Sequence, residues 1–146
     1  MKVADILRLK GDLVHTVHSW TPVTEAVDRM VGPPAIGALV VCDDGQGHVN
    51  GLVTERDLIR GLRTAGVALC GKTVADVMTH HVPVCDPQDT LTALMKTMTR
   101  SRYRHLPVVR DGTLCGLVSI GDVVRHRLQE MQLESDVLRD MYLAHQ

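Results

Sequence analysis

Two short stretches of this chain set a hydroxyl three residues ahead of a carboxylate: Thr54-Glu55-Arg56-Asp57 and Ser119-Ile120-Gly121-Asp122. Each follows an apolar run, Gly51-Leu52-Val53 or Gly116-Leu117-Val118, and each opens a segment of helical character. At such a join the hydroxyl lies beside backbone N–H groups that have no partner inside the helix, and the helix dipole adds to their attraction for an anion. The acid lies one turn on, on the same face. A carboxylate there repels an anion but accepts hydrogen bonds from a pair of hydroxyls. The pattern therefore suits an anion next to a diol. It also resembles a capping box, which closes a helix start on itself with no ligand.

The elements that carry these residues are repeated. Val3-Ala4-Asp5-Ile6-Leu7 recurs as Val74-Ala75-Asp76-Val77-Met78, and Gly51 through Arg60 returns as Gly116 through Arg125 in the same order. The offset is 71 residues at the first pair and 65 at the second, which assigns extra residues to the first copy around Lys10-Gly11-Asp12 and Gly32-Pro33-Pro34, both loop compositions. Val23, Ala26, Val27 and Met30, and again Leu91, Leu94, Met95 and Met98, follow i, i+3, i+4, i+7 spacing and predict one amphipathic helix per copy. Thr21 and Asp89 supply capping and turn chemistry at their starts. Two apolar runs follow each helix, Ile36 to Val41 and Val49 to Val53, then Leu106 to Val109 and Leu114 to Val118. Asp43-Asp44-Gly45 and Asp111-Gly112 separate the members of each pair.

One copy has too little core to stand alone, so the expected fold is α/β (α+β): two tandem repeats, each a short sheet with flanking helices, packed with pseudo-twofold symmetry. A cleft between the copies follows. The expected divisions are residues 1–65, 66–126 and 127–146. The last is a terminal helix on which Val124, Leu128, Met131, Ser135, Leu138 and Tyr142 form a narrow seam suited to docking on a neighbouring subunit.

Composition removes several function classes. Sixteen basic and seventeen acidic residues leave a formal charge of −1, too little for a broad nucleic-acid or anionic-lipid footprint. No apolar run reaches the roughly 18 residues of a membrane span, and the amino end lacks signal-peptide architecture, so a cytoplasmic location is expected. Cys42, Cys70, Cys85 and Cys115 are widely spaced, as buried thiols rather than zinc ligands or a dithiol pair would be. With no Phe, one Trp and two Tyr, stacking platforms are scarce. His80 and His81 diverge on an extended segment with no further ligands nearby, so no metal is expected. The short cluster Arg100, Arg102, Arg104 and His105 matches the phosphate of a small ligand better than nucleic acid. No Ser–His–Asp order, Walker loop or nucleophilic cysteine context is present, and no catalytic residue is assigned.

These residues resemble the CBS family: a Val-x-Asp-hydrophobic-Met start, an amphipathic helix, and Gly-Leu-Val-Ser/Thr-x-x-Asp at the end of each copy, from about Val3 to Arg125. The tail resembles the carboxyl-terminal helix of small bacterial CBS-pair proteins. The resemblance implies a Bateman-type module that performs no reaction, accepts AMP, ADP, ATP or NAD between its repeats, associates as a homodimer, and regulates a partner protein of unknown identity. It implies that Thr54, Asp57, Ser119 and Asp122, with Gly121 between the last two, meet phosphate and ribose. It also places adenine in an apolar slot near Thr79, Val82 and Pro107.

The second copy is the closer match, since Asp76-Val77-Met78-Thr79 and the stretch Arg102 to Val109 also resemble typical family segments, and a phosphate bound through Arg104 would gain a charge-assisted hydrogen bond of about 1.5–3 kcal/mol. Strand alternation sends Arg104 and His105 to opposite faces, so at most one of them meets the cleft. The first copy has Ala35 to Val40 at that place, leaving Arg56 or Arg60 as substitutes, although an arginine on a helix is more often solvated. The competing reading is a scaffold with vestigial clefts whose motifs serve only as caps. A redox sensor would require an exposed cysteine of low pKa.

Overall fold

The computed structural model describes residues 1–11 and 13–146, so Asp12 of the expected first loop lies outside the described residues. Helix α1 (Val3–Lys10) and helix α4 (Val74–Val77) start on the repeated acid of the Val-Ala-Asp segments: Asp5 and Asp76 accept the backbone N–H of Lys2 and Thr73, each at 2.9 Å. Helices α2 (Val23–Val31) and α5 (Leu91–Ser101) bury the stripes that their spacing marks, Val23, Ala26 and Met30 in one, Leu91, Leu94 and Met98 in the other. Their starts differ from expectation. Thr90, not Asp89, caps α5 by accepting from the Ala93 N–H at 3.1 Å, while Asp89 closes the preceding turn on the Asp86 N–H. Thr21 likewise accepts from the His18 N–H, and Pro22 precedes α2. A cap must occupy the extended residue directly before the first helical one, and Thr90 holds that place.

Strands β1 (Thr16–Val17), β2 (Ala38–Val41), β3 (Gly51–Thr54) and β4 (Thr79–His80) form one sheet in that order, with β1 parallel to β2 and the other pairs antiparallel. Strands β5 (His105–Arg110) and β6 (Thr113–Ser119) form a hairpin closed by Asp111 and Gly112, both at positive φ, the geometry a two-residue turn needs to match strand twist. The fully buried Leu39 and Leu106 hold equivalent places in β2 and β5, and burying each side chain contributes about 1.5–3 kcal/mol.

The two copies exchange their opening helices. Val74 and Met78, early in the second copy, pack with Val17, Ala26, Met30, Leu39 and Val53 of the first. Val3 and Ile6, at the start of the first copy, pack with Leu91, Leu94, Met98, Leu106 and Val118 of the second. A third cluster joins Val40, Leu52 and Val82 to the partly buried Tyr103, Leu114 and Leu117. Two glycines permit the exchange. A Cβ on Gly51 would lie 2.2 Å from the Thr79 carbonyl oxygen, and one on Gly116 would lie 2.6 Å from the Leu7 side chain.

Helix α3 (Glu55–Ala65) ends the first copy, and a short 3-10 helix (Gly66–Gly71) leads on toward α4. Helix α6 (Ile120–Ala144) runs unbroken across residue 126, where the sequence reading divides repeat from tail. Val124, Leu128, Met131, Leu138 and Tyr142 are exposed along it. Among the described residues, no helix is long and apolar enough to cross a membrane.

Candidate functional site

Strand β3 delivers Thr54 to the start of α3, and β6 delivers Ser119 to the start of α6. Both motifs close as capping boxes. The Thr54 N–H donates to Asp57 Oδ2 at 2.9 Å and the Asp57 N–H to Thr54 Oγ1 at 3.3 Å; the corresponding distances for Ser119 and Asp122 are 2.9 and 3.1 Å. The capping reading therefore holds locally in each copy. Both acids are nearly buried, their side chains 3% and 6% exposed.

Their remaining partners differ, and in both cases the decisive one comes from the segment exchanged between copies. Asp57 Oδ1 accepts the Thr79 hydroxyl at 2.8 Å and, more loosely, the Arg60 guanidinium at 3.3 Å. Asp122 Oδ2 accepts the Lys10 ammonium at 2.7 Å, and Oδ1 takes Arg125 at 3.4 Å. Burial pushes the Asp122 carboxyl up, but the Lys10 hydrogen bond, the Ser119 N–H and the Lys10 charge together hold it below the ordinary carboxylate value.

A cavity of about 610 Å³ lies beside Asp57, a size within the range of small-molecule sites. The first copy lines it with Gly37, Leu52, Thr54, Glu55, Arg56, Asp57, Ile59 and Arg60; Thr79 and residues Ser101 to His105 come from the second. Four arginines, Arg56, Arg60, Arg102 and Arg104, thus face two carboxylates in a chain of net charge −1. The His105 ring fits because Gly37 has no side chain: a Cβ there would lie 3.3 Å from His105 Nε2. Burial first, then the nearby Lys10 charge, lowers the His105 pKa, with Asp122 and Glu55 opposing.

Thr54, Arg56, Asp57, Thr79, Arg104 and His105 therefore come together on one cavity. Ser119, Gly121 and Asp122 do not line it. The basic stretch of the second copy borders the motif of the first copy, so the cavity lies beside Asp57 and not beside Asp122. Both Arg104 and His105 line the cavity, against the expectation of at most one, because Arg104 occupies a bend and β5 begins only at His105. Alternation governs residues inside a strand, not the pair that enters it. Val82 and Pro107 are buried in the packed interior and do not line the cavity; the Pro107 carbonyl accepts the Cys85 N–H. Arg102, part of the basic cluster that the sequence assigns to a ligand phosphate, also lines the cavity, whereas Leu52, Ile59 and Tyr103 were passed over as lining residues. For Tyr103 the signal was present, since it sits between Arg102 and Arg104 in the basic cluster.

The sequence matches the CBS domain twice, over residues 3–64 and 74–129. The chain belongs to the CBS-domain family. It is 33% identical over 138 residues to the mitochondrial CBS domain-containing protein CBSX3 of Arabidopsis thaliana, covering 90% of this chain and 67% of that protein. Among solved structures, the CBS-domain containing protein ATU1752 from Agrobacterium tumefaciens superposes with a TM-score of 0.81 at 40% identity, over 86% of this chain and 92% of that one. CBSX2, solved in complex with AMP, superposes at 0.73 and 28% identity over 88% and 97%.

Elsewhere in this CBS pair, the His80 and His81 ring centroids lie 6.3 Å apart, and no group of three His, Cys, Asp or Glu side chains suited to a metal ion occurs among the described residues. Cys42 and Cys85 are buried, as expected, but Cys70 is exposed. Burial, with the Asp89 charge next, pushes the Cys85 thiol up to about 12.

Proposed function

We propose that this CBS pair is a non-catalytic regulatory module that binds an adenine nucleotide beside Asp57, AMP ahead of ADP, ATP or NAD, and transmits its bound state to a partner protein. The observation that carries this reading is the cavity itself, in which a buried acid and four arginines meet apolar surface from both repeats. A ribose diol reaches Asp57 by displacing Arg60, whose side chain is 62% exposed and bonded at 3.3 Å. The diol's donors replace that long bond to the buried carboxylate, so Asp57 is not left unpaired by the exchange. The phosphate then takes Arg104, Arg102 or Arg56 at about 1.5–3 kcal/mol per charge-assisted hydrogen bond. Leu52, Ile59 and Tyr103 offer the base its apolar contact.

Net affinity falls in the roughly micromolar-to-millimolar range once binding costs are met, which suits a metabolite sensor. The AMP complex of CBSX2 supports the ligand class. A ligand touching both repeats favours the arrangement in which they close on it, and that shift is the signal. The exposed seam of α6 supports a homodimer as the unit that carries it, and composition suits the cytoplasm.

A second reading has one observation in its favour: both capping boxes are complete without a ligand, as a scaffold with vestigial clefts requires. Calorimetry with AMP, ADP, ATP and NAD separates the two. The nucleotide reading expects saturable heat and, at a hundredfold excess over Kd, about 2.7 kcal/mol of added stability. Neither heat nor a melting shift at millimolar nucleotide leaves the scaffold.

A further inference from the structure

Aligning the two motifs pairs Leu52 with Leu117 and Asp57 with Asp122. Leu52 and Asp57 both line the open cavity of the first copy. Their counterparts are bridged by one atom: Lys10 Nζ donates to Asp122 Oδ2 at 2.7 Å and to the Leu117 carbonyl at 2.8 Å. An ammonium from the exchanged opening segment thus stands where, in the first copy, a ligand has room. The Thr79 hydroxyl, which bonds Asp57 from the corresponding exchanged segment, leaves that cavity open.

Building on the nucleotide reading of the first cleft, we infer that Lys10 is a tethered occupant of the second cleft, so that the module takes one nucleotide per chain and holds its other site shut. The chemistry is a competition for the same acceptor. A ribose diol can bind Asp122 only by donating to it, and Lys10 already donates with a full charge, anchored a second time on a strand carbonyl. Arg125, like Arg60, is a loose and exposed partner that yields easily; Lys10, with its side chain 35% exposed and two short bonds, does not. The second cleft also lacks a phosphate clamp from the first copy, because the counterpart of Arg102 to His105 is the uncharged stretch Ala35 to Ala38. With Lys10 removed, this cleft therefore selects for the nucleoside part of a ligand rather than its phosphate.

Titration calorimetry with AMP and with adenosine tests this on wild type, Lys10→Thr and Lys10→Met. Threonine gives the second cleft the type of partner that the first one has, and methionine keeps length without charge, so two independent variants guard against a folding defect; melting curves confirm the fold of each. Wild type is expected to bind one AMP per chain. Each Lys10 variant gains a second equivalent, at which AMP and adenosine differ by less than about tenfold. In an Asp57→Ala background, AMP binding falls roughly ten- to hundredfold with Lys10 present, and Lys10→Thr adds a single equivalent whose affinity does not depend on Asp57. Two equivalents on wild type, or one on folded Lys10 variants at millimolar ligand, overturn the inference while leaving the first cleft standing. No binding by wild type or by any variant overturns both.

Discussion

Asp57 and Asp122 end equivalent motifs, close equivalent capping boxes and are buried to a similar depth, yet one lines an open cavity and the other is neutralised by a lysine. The motif itself cannot account for this. What differs is the segment each copy lends to the other: β4 brings a hydroxyl to Asp57, whereas the end of α1 brings an ammonium to Asp122. A repeated sequence thus reproduces local geometry faithfully, while the exchanged neighbour decides whether that geometry is available to a ligand.

Each half's core holds the other half's opening helix, so the two should unfold together, and this carries the largest expected effect. Leu39→Ala and Leu106→Ala each remove a fully buried side chain from an equivalent strand and should each cost about 2–5 kcal/mol. Because each core holds the other copy's opening helix, urea unfolding followed by circular dichroism should show one transition for both variants. Two separate transitions would make the halves independent.

Next in size, Asp57→Ala should weaken AMP binding by about 1.5–3 kcal/mol, roughly ten- to hundredfold, as measured by calorimetry. Asp122→Ala should leave that affinity unchanged. Both variants keep the Thr54 or Ser119 cap but lose the carboxylate's reciprocal bond to its backbone N–H, and Asp122→Ala also loses the Lys10 ion pair. Equal losses of affinity would erase the distinction between the clefts.

A smaller effect comes from acid. The Asp122 carboxyl is lowered in the folded protein, so the stability it provides is complete above the unfolded value of about 3.9 and is lost as pH falls through the folded value. Lys10→Thr removes the hydrogen bond that lowers it most, together with the lysine charge, while Ser119 remains. The melting-temperature gap between wild type and Lys10→Thr should therefore be widest near neutral pH and narrow toward pH 3. A gap that stays constant would mean that Lys10 acts through packing rather than charge.

The smallest effect concerns the thiols. Iodoacetamide at pH 8 should modify the exposed Cys70 well before Cys85, whose thiol is buried and pushed up to about 12, as read by mass spectrometry. Cys70 does not line the cavity, so its modification should leave AMP affinity unchanged. A changed affinity would bring thiol chemistry into a comparison that here rests on Thr79 and Lys10.

Much of the architecture was legible because it depends on near neighbours. The stripe Leu91, Leu94 and Met98 is buried as its spacing requires, the Asp111-Gly112 turn closes its hairpin, and Ser119 caps through Asp122 three residues away. The errors arose where a residue's environment is set by a distant segment. Val82 and Pro107 look like a slot for a base, yet both are buried and lie outside the cavity beside Asp57. Arg104 and His105 read as opposed faces of one strand, yet the strand starts between them.

The sequence by itself determined two copies of one αβ unit, the positions of their helices and strands, and the hydroxyl–acid cap at the end of each, since all of these follow from periodicity and contacts a few residues apart. Only the tertiary structure decided which copy keeps an open cavity. That choice turns on contacts 22 residues apart for Thr79 with Asp57 and 112 apart for Lys10 with Asp122, separations at which chain order carries no information about which side chain arrives.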